Sequence, residues 1–245
     1  MSQSSKSNAQ SIPAKEPGAN ISEIKRMAEV HLFTDAELES KKLIYSGMKN
    51  RNALNTFREL RTKLLQITKK ENFVVTVTSV CPKGGSTYVA ANLASVFSLD
   101  QSKTSLLIDC NLYEPGVDKL FNLHTDYGLT DYLVDSTVDV EDIIYASGVP
   151  RLRVMPVGSH CEGGAEYFSS QKMQHFLHAV KTRYPDRFIF IDAPPIGTSA
   201  EARIISQLSD YTILVVPYGK VTSGQITNSL GAIEKDKFAG MIFNN

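Results

Sequence analysis

The sequence contains no run of 18 or more apolar residues, which excludes a hydrophobic membrane-spanning helix. Its opening stretch, MSQSSKSNAQSIPAKEPGAN, also lacks the apolar core of a secretory leader, so a cytoplasmic protein is expected. Cysteine is scarce. Cys81, Cys110 and Cys161 form no C-x-x-C pair and are odd in number, which favours small buried thiols over a disulfide framework. An excess of one charge is missing too, with 26 Lys and Arg against 26 Asp and Glu. The basic residues show neither aromatic interleaving nor a groove-reading motif, so no nucleic-acid partner is expected. His175 and His178 stand at i and i+3 with no ligand pair elsewhere, the pattern of a solvated helix face rather than a metal site. His160-Cys161 reads as loop.

What is present is a chain of 245 residues, 42% hydrophobic, long enough for one large α/β domain with a full core. Charge is unevenly placed: residues 1–70 carry net +6 and the remainder net −6. Such a basic arm suits an anionic membrane surface or acidic partner, and equally an arm folded against its own acidic domain. Residues 1–20 have almost nothing to bury and are expected to be disordered. Residues 21–70 read as N-terminal helices, with a capping box at Thr34 and Glu37 and an apolar face of Leu54, Phe57, Leu60, Leu64 and Leu65.

Over residues 71–245 strand and helix patterns alternate. Strands are expected at Phe73–Ser79, Thr104–Cys110, Leu152–Val157, Phe188–Asp192, Thr212–Pro217 and Gly240–Phe243. Helices are expected at Thr87–Leu99, Ser169–Tyr184 and Ser223–Lys235. This order implies an α/β fold, a doubly wound, mostly parallel sheet whose ligands bind at the carboxyl ends of the strands.

Three strand ends carry chemistry. The first strand runs into Lys83, Gly84, Gly85, Ser86 and Thr87, glycines and hydroxyls that open a helix whose N-terminus favours anions. They are the candidate nucleotide-binding residues, although no lysine precedes Ser86. Asp109 closes the second strand and Asp192 closes "FIFID". One aspartate in such a place often caps a turn. Two of them beside a glycine loop form the arrangement expected around Mg²⁺ and phosphates, with Ser86, Asp109 and Asp192 as candidate metal ligands.

Taken in order, "ALNTFRELRTKL", "TSVCPKGGSTYVAANLA", "LLIDCNLYEPGVDKLF", "GLTDYL", "LRVMPVG", "FIFIDAPPIGTSAEA", "ILVVPYGK" and "AGMIFN" resemble the bacterial tyrosine kinases of capsule and exopolysaccharide synthesis. These are a branch of the ParA/MinD-like P-loop proteins, and the resemblance is strongest to the type linked to exosortase loci. It spans about Ala36 to Asn245. It implies a P-loop NTPase fold, ATP or ADP with Mg²⁺ as cofactor, Asp109 and Asp192 as catalytic carboxylates, and assembly through Arg58 and Arg61 on the N-terminal helix.

The chain departs from that family at each working part. Against P-G-x-G-K-[ST]-T, the loop Pro82-Lys83-Gly84-Gly85-Ser86-Thr87 reads as one residue shorter and without the catalytic lysine. A missing residue removes roughly 3.3–3.6 Å of reach, and a lost charge-assisted contact costs about 1.5–3 kcal/mol in binding. Transfer suffers more than binding, because charge stabilisation dominates phosphoryl chemistry. Lys83 reaching back as a substitute is the open alternative. The family's D-x-D-x-R is Asp109-Cys110-Asn111-Leu112-Tyr113, with an amide and a phenol where a base and a guanidinium stand. Its E-x-x-R-x-x-R keeps Arg58 and Arg61 while Asn55 replaces the glutamate, so self-assembly through the same ion pairs is not expected, a homo-oligomer stays open, and the arginines are left able to pair with a glutamate on a different, intact subunit. The last tyrosine is Tyr218, so no tyrosine-rich acceptor tail is expected.

The expectation is a degenerate, kinase-like regulatory or scaffold subunit of exopolysaccharide synthesis or export. It would dock to a membrane chain-length or export protein, or to an intact kinase paralogue, and lie peripherally at the inner membrane through that partner. The alternative is an active ATP-dependent protein-tyrosine kinase that uses Lys83. A ParA/MinD-like positioning ATPase is disfavoured, since Lys83-Gly84-Gly85 matches only the start of K-G-G-x-G-K-[ST] and no C-terminal amphipathic helix is expected.

Overall fold

The β-branched runs of the sequence become the strands of one sheet in the computed structural model, which describes residues 31–69, 71–159 and 163–245. The arm expected over residues 1–20, the helical pattern from Ile21 to Val30 and the His160-Cys161 pair lie outside the described residues. In chain order come α1 (Asp35–Ser40), α2 (Arg51–Ile67), β1 (Val74–Ser79), α3 (Ser86–Ser98), β2 (Thr104–Asp109), α4 (Val117–Leu120) and α5 (Leu129–Val134). A 3₁₀ turn (Val140–Ile143), β3 (Tyr145–Ala146), β4 (Leu152–Met155), α6 (Gly164–Ser169), α7 (Gln171–Arg183) and β5 (Arg187–Asp192) follow. The described chain closes with α8 (Ala200–Leu208), β6 (Tyr211–Pro217), α9 (Ser223–Gly231) and β7 (Phe238–Asn244).

The sheet order is β3-β4-β2-β5-β1-β6-β7. All pairings are parallel except β3 with β4. Every residue of β1, β2 and β5 is buried, as strands covered on both faces require. Alternate side chains serve two cores. Val75, Val77 and Leu107 face α2 and α3, while Val74, Leu106 and Ile108 face Phe168 of α6, Met173 and Phe176 of α7 and Ile205 of α8. The doubly wound, mostly parallel architecture is therefore as expected.

Two packing features hold α3 in place. Phe97, near its C-terminal end, meets Phe73, Phe188 and Phe190 with ring centroids 4.8–5.5 Å apart, pairs worth about 0.5–1.5 kcal/mol each beyond their area. In mid-helix, buried Asn92 accepts from the Ile44 amide at 2.7 Å and donates to the Lys42 carbonyl at 3.1 Å, tying the segment after α1 across the helix. The Thr34–Glu37 capping box forms at α1 as expected.

The strand expectations hold to within a few residues; the helices differ more. The single helix expected over Ser169–Tyr184 is divided. Ser170 takes an extended conformation, ends α6 and caps α7 by accepting from the Met173 amide. No helix in the described residues is long and apolar enough to cross a membrane.

Candidate nucleotide-binding site

The strand order reverses direction around β1, and the loop after β1 opens at that point of the carboxyl edge. Gly84 lies where a Cβ would stand 2.7 Å from Ser79 Cβ and 2.9 Å from the Cys81 carbonyl, so only glycine lets the loop fold back on its strand. Gly85 has φ +94°, a left-handed conformation that suits glycine, and its Cα faces the Asn244 side chain. Asn244 Nδ2 donates to the Gly84 carbonyl at 3.2 Å, so the end of β7 steadies the loop. Lys83 is exposed and also left-handed, with φ +55°. No side chain caps α3, so its first-turn N–H groups face the loop mouth, available to an anion.

The expected shortening of the loop is corrected by the geometry. Thr87 Oγ1 donates to Asp192 Oδ2 at 2.5 Å, which puts the hydroxyl of the [ST] position at Thr87, not at Ser86. Counted back from Thr87, Ser86 occupies the lysine position, Gly85 the glycine before it, and Pro82 the proline. The loop is thus full length and its lysine is replaced, not deleted. The glycine pair obscured this in the sequence, because Gly84-Gly85-Ser86-Thr87 can be slid by one residue without losing its hydroxyls.

Asp109 and Asp192 are register partners on β2 and β5, both buried. Their surroundings differ. Asp109 Oδ1 accepts from the Asn111 amide at 2.9 Å, and Oδ2 accepts from the Gly116 and Val117 amides, each at 3.0 Å. Asp109 therefore organises the loop before α4, with both oxygens engaged by backbone amides. Asp192 keeps Oδ1 buried without a hydrogen-bond partner of good geometry, the Ser86 hydroxyl making only a weaker approach to the carboxylate. Burial above all, then the Asp109 charge, pushes the Asp192 carboxyl up, against the Thr87 and Ser86 hydroxyls. Burial likewise raises Asp109, against its three amide donors.

The orphaned Asp192 oxygen and the Thr87 hydroxyl fit Mg²⁺, which takes one or two protein oxygens and completes its shell with water and phosphate. Among the described residues no cluster of three or more His, Cys, Asp or Glu could hold a metal by itself. Thr87 and Asp192 would hold Mg²⁺ here, where it would supply positive charge to offset that of the phosphates.

Beside the loop is a cavity of about 330 Å³ lined by Lys83, Asn111, Tyr113, Glu114 and Ser199 among others. Asn111, in the second aspartate position, accepts from the Glu114 amide at 3.2 Å and shapes the turn. Tyr113, in the arginine position, is 67% exposed and donates from its hydroxyl to Glu201 Oε1 at 2.6 Å. Glu201 was not legible as a site residue. An acidic residue in the first turn of α8 was the sole sequence cue, and nothing local linked it to Tyr113. Asn244, 160 residues beyond Gly84, carried no cue.

Arg58 and Arg61 separate. Arg58 is exposed on α2 with no ion pair among those described, whereas Arg61 pairs with Asp100 at 3.0 Å and lies over the Phe97 ring. Arg61 thus joins α2 to the end of α3 within the chain, a use that a spacing argument cannot show.

No family model matches the sequence. The chain is 34% identical over 191 residues to tyrosine-protein kinase YwqD of Bacillus subtilis, covering 77% of this chain and 79% of that protein. The kinase domain of Escherichia coli tyrosine kinase ETK has the same fold, with a TM-score of 0.74 at 21% identity over 96% of this chain and 95% of that one. The cell division ATPase MinD of Pyrococcus furiosus shares it more distantly, with a TM-score of 0.56 at 22% identity over 69% of this chain and 70% of that one.

Proposed function

The chain belongs to the bacterial tyrosine-protein kinases, and from that premise we propose that it serves as a regulatory, kinase-like subunit of exopolysaccharide or capsule synthesis that acts by binding rather than by phosphoryl transfer. The observation that carries this reading is Ser86 in the lysine position, fixed there by the Thr87–Asp192 bond. A lysine at that position meets the β- and γ-phosphates and offsets the charge that shifts during transfer. A serine hydroxyl supplies neither the charge nor the reach. Lys83, the single cation of the loop, sits on the exposed lining of the neighbouring cavity.

Binding and transfer separate here on physical grounds. The uncapped start of α3, the turn at Gly84-Gly85 and the Thr87–Asp192 pair are the parts that hold phosphates and Mg²⁺. Asn111 and Tyr113 replace the groups that would act as base and as phosphate clamp. Exposed Arg58 is the group offered to a partner subunit, an intact kinase paralogue or a membrane chain-length or export protein. The test is Ser86→Lys. Calorimetry with Mg²⁺ and ATP should show about 10-fold or more tighter binding, the equivalent of one charge-assisted contact. Unchanged affinity would remove Ser86 as the lesion.

A further inference from the structure

We propose that Tyr113 is a phosphoacceptor: an ATP-loaded, intact kinase of the same family transfers a phosphoryl group to its hydroxyl, with Glu201 taking the phenolic proton. This rests on the reading above, in which this chain is not itself the catalyst. Three tyrosines are exposed among the described residues, Tyr113, Tyr127 and Tyr218. Of these, only Tyr113 has its hydroxyl hydrogen on a carboxylate, at 2.6 Å, within the reach required of a general base.

Glu201 is prepared for that role. It is buried in the first turn of α8, and its second oxygen accepts from Ser199 Oγ at 2.7 Å, which fixes the carboxylate plane towards Tyr113. Burial pushes its carboxyl up, but the hydrogen bonds from Tyr113, its own backbone and Ser199 outweigh this and hold it below the ordinary range, ionised at neutral pH. Tyr113 stands on the short loop after β2, with its ring exposed to an approaching protein.

In the transfer the phenolic oxygen forms a bond to the γ-phosphorus of ATP. The bond from that phosphorus to the β–γ bridging oxygen breaks, ADP leaves, and the proton passes to Glu201 Oε1. The product carries about −1.5 to −2 charges at pH 7 and has no proton left to share with Glu201. Once Glu201 releases that proton to water, it and Glu114 repel the phosphate, and Lys83, on the lining of the same cavity, is its counter-charge.

The experiment incubates the whole chain with Mg²⁺, ATP and tyrosine-protein kinase YwqD, which must label itself in the same tube, and maps phosphotyrosine by mass spectrometry. Phosphate is expected at Tyr113 and absent from Tyr113→Phe. Glu201→Gln, whose amide oxygen still accepts from the phenol, should slow initial labelling by about 100-fold or more through loss of the base. Overturning results are a self-labelled kinase with Tyr113 unmodified, labelling of Tyr127 or Tyr218 instead, or an unchanged rate in Glu201→Gln. Phosphate on Tyr113 without added kinase would identify the same acceptor but contradict the non-catalytic reading, so the two failures are distinguishable.

Discussion

Thr87 and Asp192, 105 positions apart, share a 2.5 Å hydrogen bond at the carboxyl ends of β1 and β5, and that bond sets the register of the whole phosphate loop. It also supports the fold. Thr87→Val removes the donor and leaves a buried carboxylate oxygen unpaired, a cost of about 1–3 kcal/mol. Urea unfolding should show this loss for Thr87→Val and near-normal stability for Thr87→Ser.

Acidity changes should follow the two aspartates. Asp192 and Asp109 both titrate above the ordinary carboxylate range because they are buried side by side. A carboxyl raised in the folded state binds more protons there than when unfolded. Its stabilising contribution is therefore complete below about pH 4, the unfolded value, and is lost as pH rises towards the folded values. Without divalent cation, stability should fall from pH 5 to pH 8, and Asp192→Asn should flatten that slope. An equally steep fall in Asp192→Asn, measured by denaturant midpoints across the range, would contradict the assignment.

The loop glycine permits a graded test. Gly85→Ala incurs the left-handed cost of roughly 1–2 kcal/mol and also displaces Asn244 from the loop. Gly219→Ala, at φ +68° with no atom within 4 Å of the new Cβ, incurs only the backbone part. The first variant should be the less stable of the two, and equal unfolding midpoints would show that Asn244 does not brace the loop.

Arg58 and Arg61 should part company in solution. Arg61→Ala loses a half-exposed ion pair of about 0.5–1 kcal/mol together with its contact on Phe97. Arg58→Ala should leave the unfolding midpoint unchanged while weakening capture of an intact kinase paralogue. Light scattering of the mixed proteins with each variant, beside a thermal melt of each, separates the two effects.

Much of this was readable in advance where the physics is local. The strands were legible because Val74–Ser79, Thr104–Asp109 and Arg187–Asp192 are buried on both faces and so carry no charged residue in their interiors. The strand-end aspartates were legible for the same reason: Asp109 and Asp192 are the first charges after apolar runs. Division of labour between them was not, since it depends on amides at Gly116 and Val117 that fold back only in three dimensions. Nor was the break at Ser170, where a capping hydroxyl interrupts a continuous amphipathic pattern. The register of Ser86 and Thr87 needed Asp192, a partner no local window contains.

The role proposed for this member of the kinase family is binding without phosphoryl transfer. It is tested most directly by incubating the purified chain alone with Mg²⁺ and γ-labelled ATP and following both released phosphate and protein-bound label. Neither signal should exceed that of Asp192→Ala, even at ATP concentrations at which calorimetry detects binding. Sustained hydrolysis or self-labelling by the wild-type chain, abolished in Asp192→Ala, would contradict it.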